Sequence, residues 1–308
     1  DPSDGNDSSD TFTSNSGSRD IFVASYTSDA TYRGGFVIGG SGQGQGHAIR
    51  VSEDGSIFLG GFFSGSADFE PGRNINLLGS SGGWDAFFAK YDANGKNLLA
   101  KKFGGEGNDQ IRPGAMEIRK IDGAERVCIG GNFTGGTDFN FGAGTIGIQS
   151  SGANDLFAAC YDNNGNVLWA KSASGPETAS EFVHRLSMDS LGNVYATGQI
   201  TGQMTFSTGE DYFFLKNVGK SDAFVLKYDK DGNFIWGKTI GGYDAEGEPD
   251  DIGTGLATDI WDNVYVSGKF FGAAGSDLQS AGNTDAFVMK YSSENACLNV
   301  GSDLDIKI

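Results

Sequence analysis

The sequence predicts an all-β chain built from repeated four-stranded antiparallel units, and three observations carry that expectation. A run opening on aspartate recurs five times, at Asp20, Asp85, Asp155, Asp222 and Asp285, with starts 65, 70, 67 and 63 residues apart. Measured from each Asp, position +2 is always Phe (Phe22, Phe87, Phe157, Phe224, Phe287) and position +6 is always Tyr (Tyr26, Tyr91, Tyr161, Tyr228, Tyr291). Position −3 is always Gly (Gly17, Gly82, Gly152, Gly219, Gly282). Finally, 50 glycines stand against 5 prolines, with 12% aromatic residues. That mixture suits tight turns joining aromatic-rich strands, and not disorder, in which aromatics are scarce.

The third copy shows the pieces in order. Leu156 to Tyr161 is an apolar-rich strand, and the turn Asp162-Asn163-Asn164-Gly165-Asn166 leads to a second strand from Val167 to Ser172. Asp, Asn and Gly between two apolar runs form a hairpin signal, because Gly and Asn accept the positive φ that the turn needs. An acidic loop, residues 173–180, precedes a third strand from Phe182 to Met188; the turn Asp189 to Asn193 then opens a fourth, Val194 to Gly198. Counterparts of the fourth strand begin at Ile57, Val127 and Val264, each followed by a variable Gly-rich segment. No stretch has a sustained period of 3.6 residues between caps, so essentially no helix is expected.

Repeats of this length with four antiparallel strands are the signature of propeller blades. Phe at +2 and Tyr at +6 share one face of a strand, and inter-blade core explains both. About five blade positions are the simplest fit, with four full repeats and a partial one. Residues 1–19 read as part of an incomplete repeat, 20–291 as one propeller domain, and 292–308 as a closing strand or the start of a following segment.

The run DAFVLKYDKDGNFIWGKTIGG (Asp222 to Gly242), followed by GLATDIWDNVYVSG (Gly255 to Gly268), resembles the bacterial β-propeller repeat family of the seven-bladed type. The stretch Asp68-Phe69-Glu70-Pro71-Gly72 is similar to copies in secreted or cell-surface proteins of Bacteroidetes-type bacteria. The resemblance covers about Asp20 to Tyr291. It implies that the strand before the Asp189 turn is the innermost of its blade and the Trp-bearing strand the outermost. It carries no catalytic residues. Copy one departs from the pattern in lacking the Tyr-Asp-x-x-Gly-Asn turn, and copy five in lacking the Trp strand.

Composition narrows the partners. With 22 Lys and Arg against 40 Asp and Glu, the net charge of −18 repels nucleic-acid phosphates and anionic membranes. No apolar run approaches the roughly 18 residues of a membrane span, and the polar opening DPSDGNDSSD reads as a mature or trimmed terminus. Three cysteines make no disulfide framework and leave at least one thiol unpaired. Cys128 and Cys160 lie on neighbouring strands where a bridge could form, but buried free thiols are the expectation.

Two sets of side chains are candidates for chemistry. The two histidines, His47 and His184, each lie eight residues before a turn glycine, Gly55 and Gly192. With Glu117 and Thr254 at matching places, they would line a central channel as a ligand-binding set; the plain alternative is a polar strand face meeting water. Acidic loops before those strands carry Glu106, Asp109, Glu177, Glu181, Glu246, Glu248, Asp250 and Asp251. Asp109, Glu181, Asp250 and Asp251 are the candidate metal ligands, and Ca²⁺ is the cation such oxygens would take. The turns at Asp162 and Asp229 lack the spacing and closing Glu of an EF-hand and read as hairpin turns. No nucleophile elbow, phosphate loop or Cys/His metal spacing is present.

The expectation is therefore a non-enzymatic extracellular or cell-surface bacterial module that binds other surface or secreted proteins within a larger assembly. The alternative is a glycan-binding or glycan-active propeller using carboxylates at the channel mouth with Ca²⁺. Glycoside hydrolysis needs two carboxyls about 5 to 9.5 Å apart beside a groove, and Tyr243 is almost the sole aromatic in those loops.

Overall fold

A computed structural model describes the chain except for residues 1–10, 15–16, 71–73, 142–143, 152, 174, 177–178, 208–211, 243–249, 275–277 and 293–308. Gly152, Glu177, Tyr243, Glu246 and Glu248, singled out above, lie outside the described residues. The chain divides into two compact units, Asp1–Ile111 and Arg112–Ile308. Every regular element among the described residues is a β-strand.

In the first unit, β1 (Ile21–Tyr26) and β2 (Tyr32–Gly40) form a hairpin, followed by β3 (Gly44–Val51), β4 (Ile57–Phe63), the short β5 (Ser66–Asp68) and β6 (Leu77–Gly79), then β7 (Asp85–Tyr91) and β8 (Asn97–Phe103). One sheet has the order β3-β4-β7-β8, and another has β1-β2-β5-β6. β9 (Gln110–Ile121) begins at the end of this unit.

The second unit continues with β10 (Ala124–Phe133), β11 (Gly136–Asp138), β12 (Gly147–Gln149), β13 (Asp155–Asp162), β14 (Val167–Ala173), β15 (Glu181–Met188) and β16 (Val194–Ile200). Then come β17 (Gln203–Ser207), β18 (Tyr212–Lys216), β19 (Asp222–Tyr228), β20 (Phe234–Ile240), β21 (Ile252–Thr258), β22 (Val264–Ala274) and β23 (Leu278–Tyr291). Its main sheets run β9-β10-β13-β14, β15-β16-β19-β20 and the three-stranded β21-β22-β23.

The chain is thus all-β, and its repeated four-stranded antiparallel sheets are propeller-type blades. Three sheets, β3-β4-β7-β8, β9-β10-β13-β14 and β15-β16-β19-β20, each join two half-units. In these the strand opening on Asp and the strand after it come from one sequence copy, while the edge strand and its neighbour come from the copy before. The Gly-rich segments do more than connect, which the sequence reading missed: they fold as the short hairpins β5–β6, β11–β12 and β17–β18.

The repeated residues hold these sheets together. Phe87, Phe157 and Phe224 are fully buried, as are Tyr91 and Tyr161, as expected of inter-blade core. A buried Tyr hydroxyl needs an acceptor; the first two short hairpins supply one, whereas the Tyr228 hydroxyl is buried without a partner. Tyr91 Oη donates to the Phe69 carbonyl at 2.9 Å, and Tyr161 Oη to that of Phe139 at 3.1 Å. The Asp-Phe stretches are built for this, because Asp68 Oδ1 accepts the Glu70 and Asn76 amides and Asp138 Oδ1 those of Asn140 and Ile146. Trp169 on β14 covers the turn between β19 and β20, donating its indole N–H to the Lys230 carbonyl at 3.1 Å. Gly232 keeps that turn close, since a Cβ there would stand 2.6 Å from Trp169 Cγ.

The Asp turns are hairpin turns. Asp162, Asp189, Asp229 and Asp259 each accept the amides two and four residues on with Oδ1, and the side chain of the following Asn with Oδ2. The cysteine expectation is corrected. Cys128 and Cys160 face each other directly in the β10–β13 register and form a disulfide, with Cα atoms 4.1 Å apart.

Candidate functional site

One backbone bond fixes equivalent positions across the copies. The amides of Gly44, Asp109, Glu181 and Asp251 donate to the carbonyls of Arg19, Trp84, Asn154 and Ser221 respectively. Each accepting residue immediately precedes a repeat Asp. Counting three residues on from the donor gives His47, Arg112, His184 and Thr254.

His47, His184 and Thr254 all sit at β-bulges, where the registers slip between Gly46 and Ala48, Val183 and Arg185, and Gly253 and Gly255. A bulge re-aims the side chain of the extra residue. Glu117 is not the fourth member: the place is taken by Arg112, and Glu117 lies five residues further along β9, half-buried. The long β9–β10 hairpin displaces any count taken back from its turn.

The two histidines do the same structural job. In the first unit, His47 Nδ1 lies 2.9 Å from the Ile111 carbonyl; in the second, His184 Nδ1 lies 3.2 Å from the Gly253 carbonyl. A carbonyl only accepts, so both rings carry the proton on Nδ1. Each acceptor stands two residues beyond the donor amide of the next copy, Asp109 and Asp251.

His184 Nε2 then accepts from Arg112 Nη2 at 3.2 Å, while the Arg112 guanidinium lies over the Phe182 ring at 4.8 Å. Burial and the Arg112 charge push the His184 pKa down to about 4. This imidazole is neutral, with both nitrogens engaged. Thr254 is exposed beside it.

The carboxylates form pairs inside the blades. Asp85, Asp155 and Asp222 are fully buried and accept the amide four residues earlier, from Ser81, Ser151 and Val218. Against them lie Asp109, Glu181 and Asp251, also fully buried. Convergence is visible at the glycines that follow the outer strands. A Cβ on Gly104 would stand 2.7 Å from Asp109 Oδ2 and 3.0 Å from Asp85 Oδ1. A Cβ on Gly241 would stand 2.6 Å from Asp222 Oδ1 and 2.7 Å from Asp251 Oδ2.

Burial raises the Glu181 pKa to about 8, with the Asp155 charge adding to it. Burial likewise raises Asp222 to about 7, with the Asp251 charge adding to it, and Asp251 to about 6. The first pair has a counterion, since Lys102 Nζ lies 2.7 Å from Asp85 Oδ2. The residues in that place on β14 and β20 are Ser172 and Thr239, paired with Phe157 and Phe224 as Lys102 is with Phe87. In copy one Gly44 stands where the second acid would be.

These acids are therefore not a rim of open carboxylates. Asp109, Glu181 and Asp251 are closed inside separate blades; Asp250 alone of the four is partly exposed, taking a 3.0 Å bond from Ser221 Oγ. Among the described residues no three His, Cys, Asp or Glu side chains converge as a metal-binding group. The pairing of Asp85, Asp155 and Asp222 with an acid from the following segment is the feature that sequence reasoning missed. Its signal was the recurring Asp or Glu at one fixed place at or just before the start of β9, β15 and β21.

No family model matches the chain. It is similar to an uncharacterized WD repeat-containing protein of Acanthamoeba polyphaga mimivirus, 30% identical over 125 residues, which is 38% of this chain and 9% of that relative. The chain therefore spans less than a tenth of the curated relative it matches. The likeness agrees with the blades in pointing to a propeller-type repeat.

Proposed function

We propose that the chain is a non-enzymatic protein-interaction module, displayed outside the cell as part of a larger bacterial assembly. The observation that carries this reading is an exposed apolar cluster in the second unit. Leu191, at the tip of the β15–β16 hairpin, is 66% exposed; Ile260 and Trp261, at the β21–β22 tip, are 85% and 70% exposed. The two tips are tied together, because Asp262 accepts from the Ser190 amide at 2.8 Å and from its hydroxyl at 2.6 Å. Asp262 holds φ at 63°, where the other Asp turns use Gly. A left-handed Asp is disfavoured relative to Gly, so the link has an energetic cost that its two hydrogen bonds offset. Fixed, exposed aromatic and aliphatic side chains are the usual anchors of protein interfaces.

Two further points support the reading. His47, His184 and the paired acids are occupied in holding blades. The Cys128–Cys160 bridge fits an oxidising compartment, and the repeat resembles those of secreted bacterial proteins. The test is to use the wild-type chain and a W261D variant as baits against surface extracts. A partner that the wild type retains and the variant loses supports the module; identical retention by both overturns it.

A further inference from the structure

Two arginines of the second unit reach across in opposite directions between the edge strands of successive sheets, β9 and β15. Arg112, on β9, reaches β15: its guanidinium lies 4.8 Å over the Phe182 ring, and Nη2 donates to His184 Nε2 at 3.2 Å. Arg185, on β15, reaches back: Nη1 donates to the Pro113 carbonyl, next to Arg112, and to the His184 carbonyl at 3.2 Å. Gly114 makes room for this return. It holds φ at 74°, and a Cβ there would collide with Nη1, Cζ and Nε of Arg185. Both positive charges bear on His184, and each lowers its affinity for a proton.

No negative group answers them. The chain has 40 acids against 22 Lys and Arg, yet among the described residues neither Arg112 nor Arg185 is ion-paired. What they touch carries no formal charge: an aromatic ring, two carbonyls and a neutral imidazole. Both residues are only half-exposed, and burial already lowers the Arg112 pKa. Arg112 Nε is buried with no hydrogen-bond partner, and a donor left unsatisfied in this way is costly. Two cations held close together in such surroundings also repel each other. An anion between them would relieve both costs.

We propose that Arg112 and Arg185 form a binding site for a doubly charged oxyanion, sulfate or phosphate, either free or as an ester group. A guanidinium presents its donors as a rigid fork that matches such oxygens. Among the described residues, Arg112 Nε and Nη1 and Arg185 Nε and Nη2 have no protein acceptor and remain to donate. A dianion balances both charges, where a lone carboxylate leaves one over. The site is independent of the exposed cluster at Trp261 and of the interaction-module reading.

The test is a titration of the full chain, carrying isotope-labelled arginine, with sodium sulfate and with sodium phosphate at neutral pH. Sodium chloride at equal ionic strength is the reference, because general screening acts on every exposed charge. The Nε–H signals of Arg112 and Arg185 should shift saturably with at least one oxyanion and not with chloride. Arg185→Gln should weaken binding about tenfold, the scale of one charge-assisted hydrogen bond, while Lys216→Gln, on an exposed side chain, should leave it unchanged. His184 should titrate at higher pH when the oxyanion is bound, since the two arginine charges are then offset. Phenyl phosphate separates the sources: saturation by phosphate alone assigns the free ion, saturation by both assigns an ester, and either supports the site. No saturable shift with either oxyanion, an equal shift with chloride, or undiminished binding by Arg185→Gln overturns the proposal. Should that variant fail to fold, the wild-type arginine signals and the His184 titration still decide.

Discussion

Asp222 and Asp251 direct carboxylate oxygens at one buried point beside Gly241, and neither Asp222 Oδ1 nor Asp251 Oδ2 has a hydrogen-bond donor. Asp222 Oδ2 accepts from the Val218 amide and Asp251 Oδ1 from that of Phe271. Burial raises both carboxyls, to about 7 and about 6, and the Asp251 charge adds to the rise at Asp222, because burial and a like charge both disfavour the ionised form.

Stability should therefore fall towards alkaline pH. The folded pKa of Asp222 is raised from 3.8 to about 7 and that of Glu181 from 4.5 to about 8. Between those values the folded chain binds more protons than the unfolded one, so the stabilising effect is full below about pH 4 and is lost by about pH 8. Asp222→Asn should remove much of this dependence. Thermal melts from pH 4 to 9 check it, and parallel slopes for variant and wild type would contradict it.

The Lys102 arrangement can be transplanted. Thr239→Lys places an ammonium where Lys102 stands in the other blade, within reach of Asp222. The variant should gain stability at pH 8 and change little at pH 4, read as a difference in Tm between the two conditions.

Gly241→Ala should destabilise the protein by about 1–3 kcal/mol, because the added methyl meets two carboxylates and no soft neighbour. Its cost should be smaller in an Asp222→Ala background. A double-mutant cycle in denaturant measures that coupling.

His184 acts in the opposite direction on the acid side. Its folded pKa is lowered from 6.5 to about 4, so the unfolded chain binds more protons in that window. The contribution is complete above pH 6.5 and is lost as pH falls through it. His184→Gln should flatten the acid limb of the stability profile, which melts between pH 4 and 7 will report.

Reduction of the Cys128–Cys160 bridge should lower stability by about 2–4 kcal/mol. Both sulfurs are buried, so reductant should act slowly on the native chain and quickly once it is unfolded. Thiol labelling with and without urea distinguishes these rates.

Much of this architecture was legible in the sequence because a repeated register writes itself into spacing. Phe at +2 and Tyr at +6 announce a shared strand face, and the buried Phe87 and Tyr91 bear that out. The equivalence of His47, His184 and Thr254 was also countable, since each precedes a turn of the same length. Arg112 was lost because β9 and β10 extend further, yet a count forward from Asp109 would have found it. Burial was the illegible part. Asp109, Glu181 and Asp251 look like solvated loop acids until the folded chain shows each closed against a repeat Asp. Likewise, Cys128 and Cys160 are 32 residues apart, and only the strand register brings them face to face.

The offset between sequence copy and sheet has an evolutionary consequence. A copy cut at its Asp supplies the outer half of one blade and the inner half of the next, so the chain between adjacent blades is never a mere tether. Duplication or loss of one whole copy leaves every half-blade matched to a complementary half, with the acid and its glycine still meeting across the junction. Lineages could thus lengthen or shorten such a protein by recombination at almost any point in the repeat, while only a break that strands a half-blade would leave an edge in need of a partner.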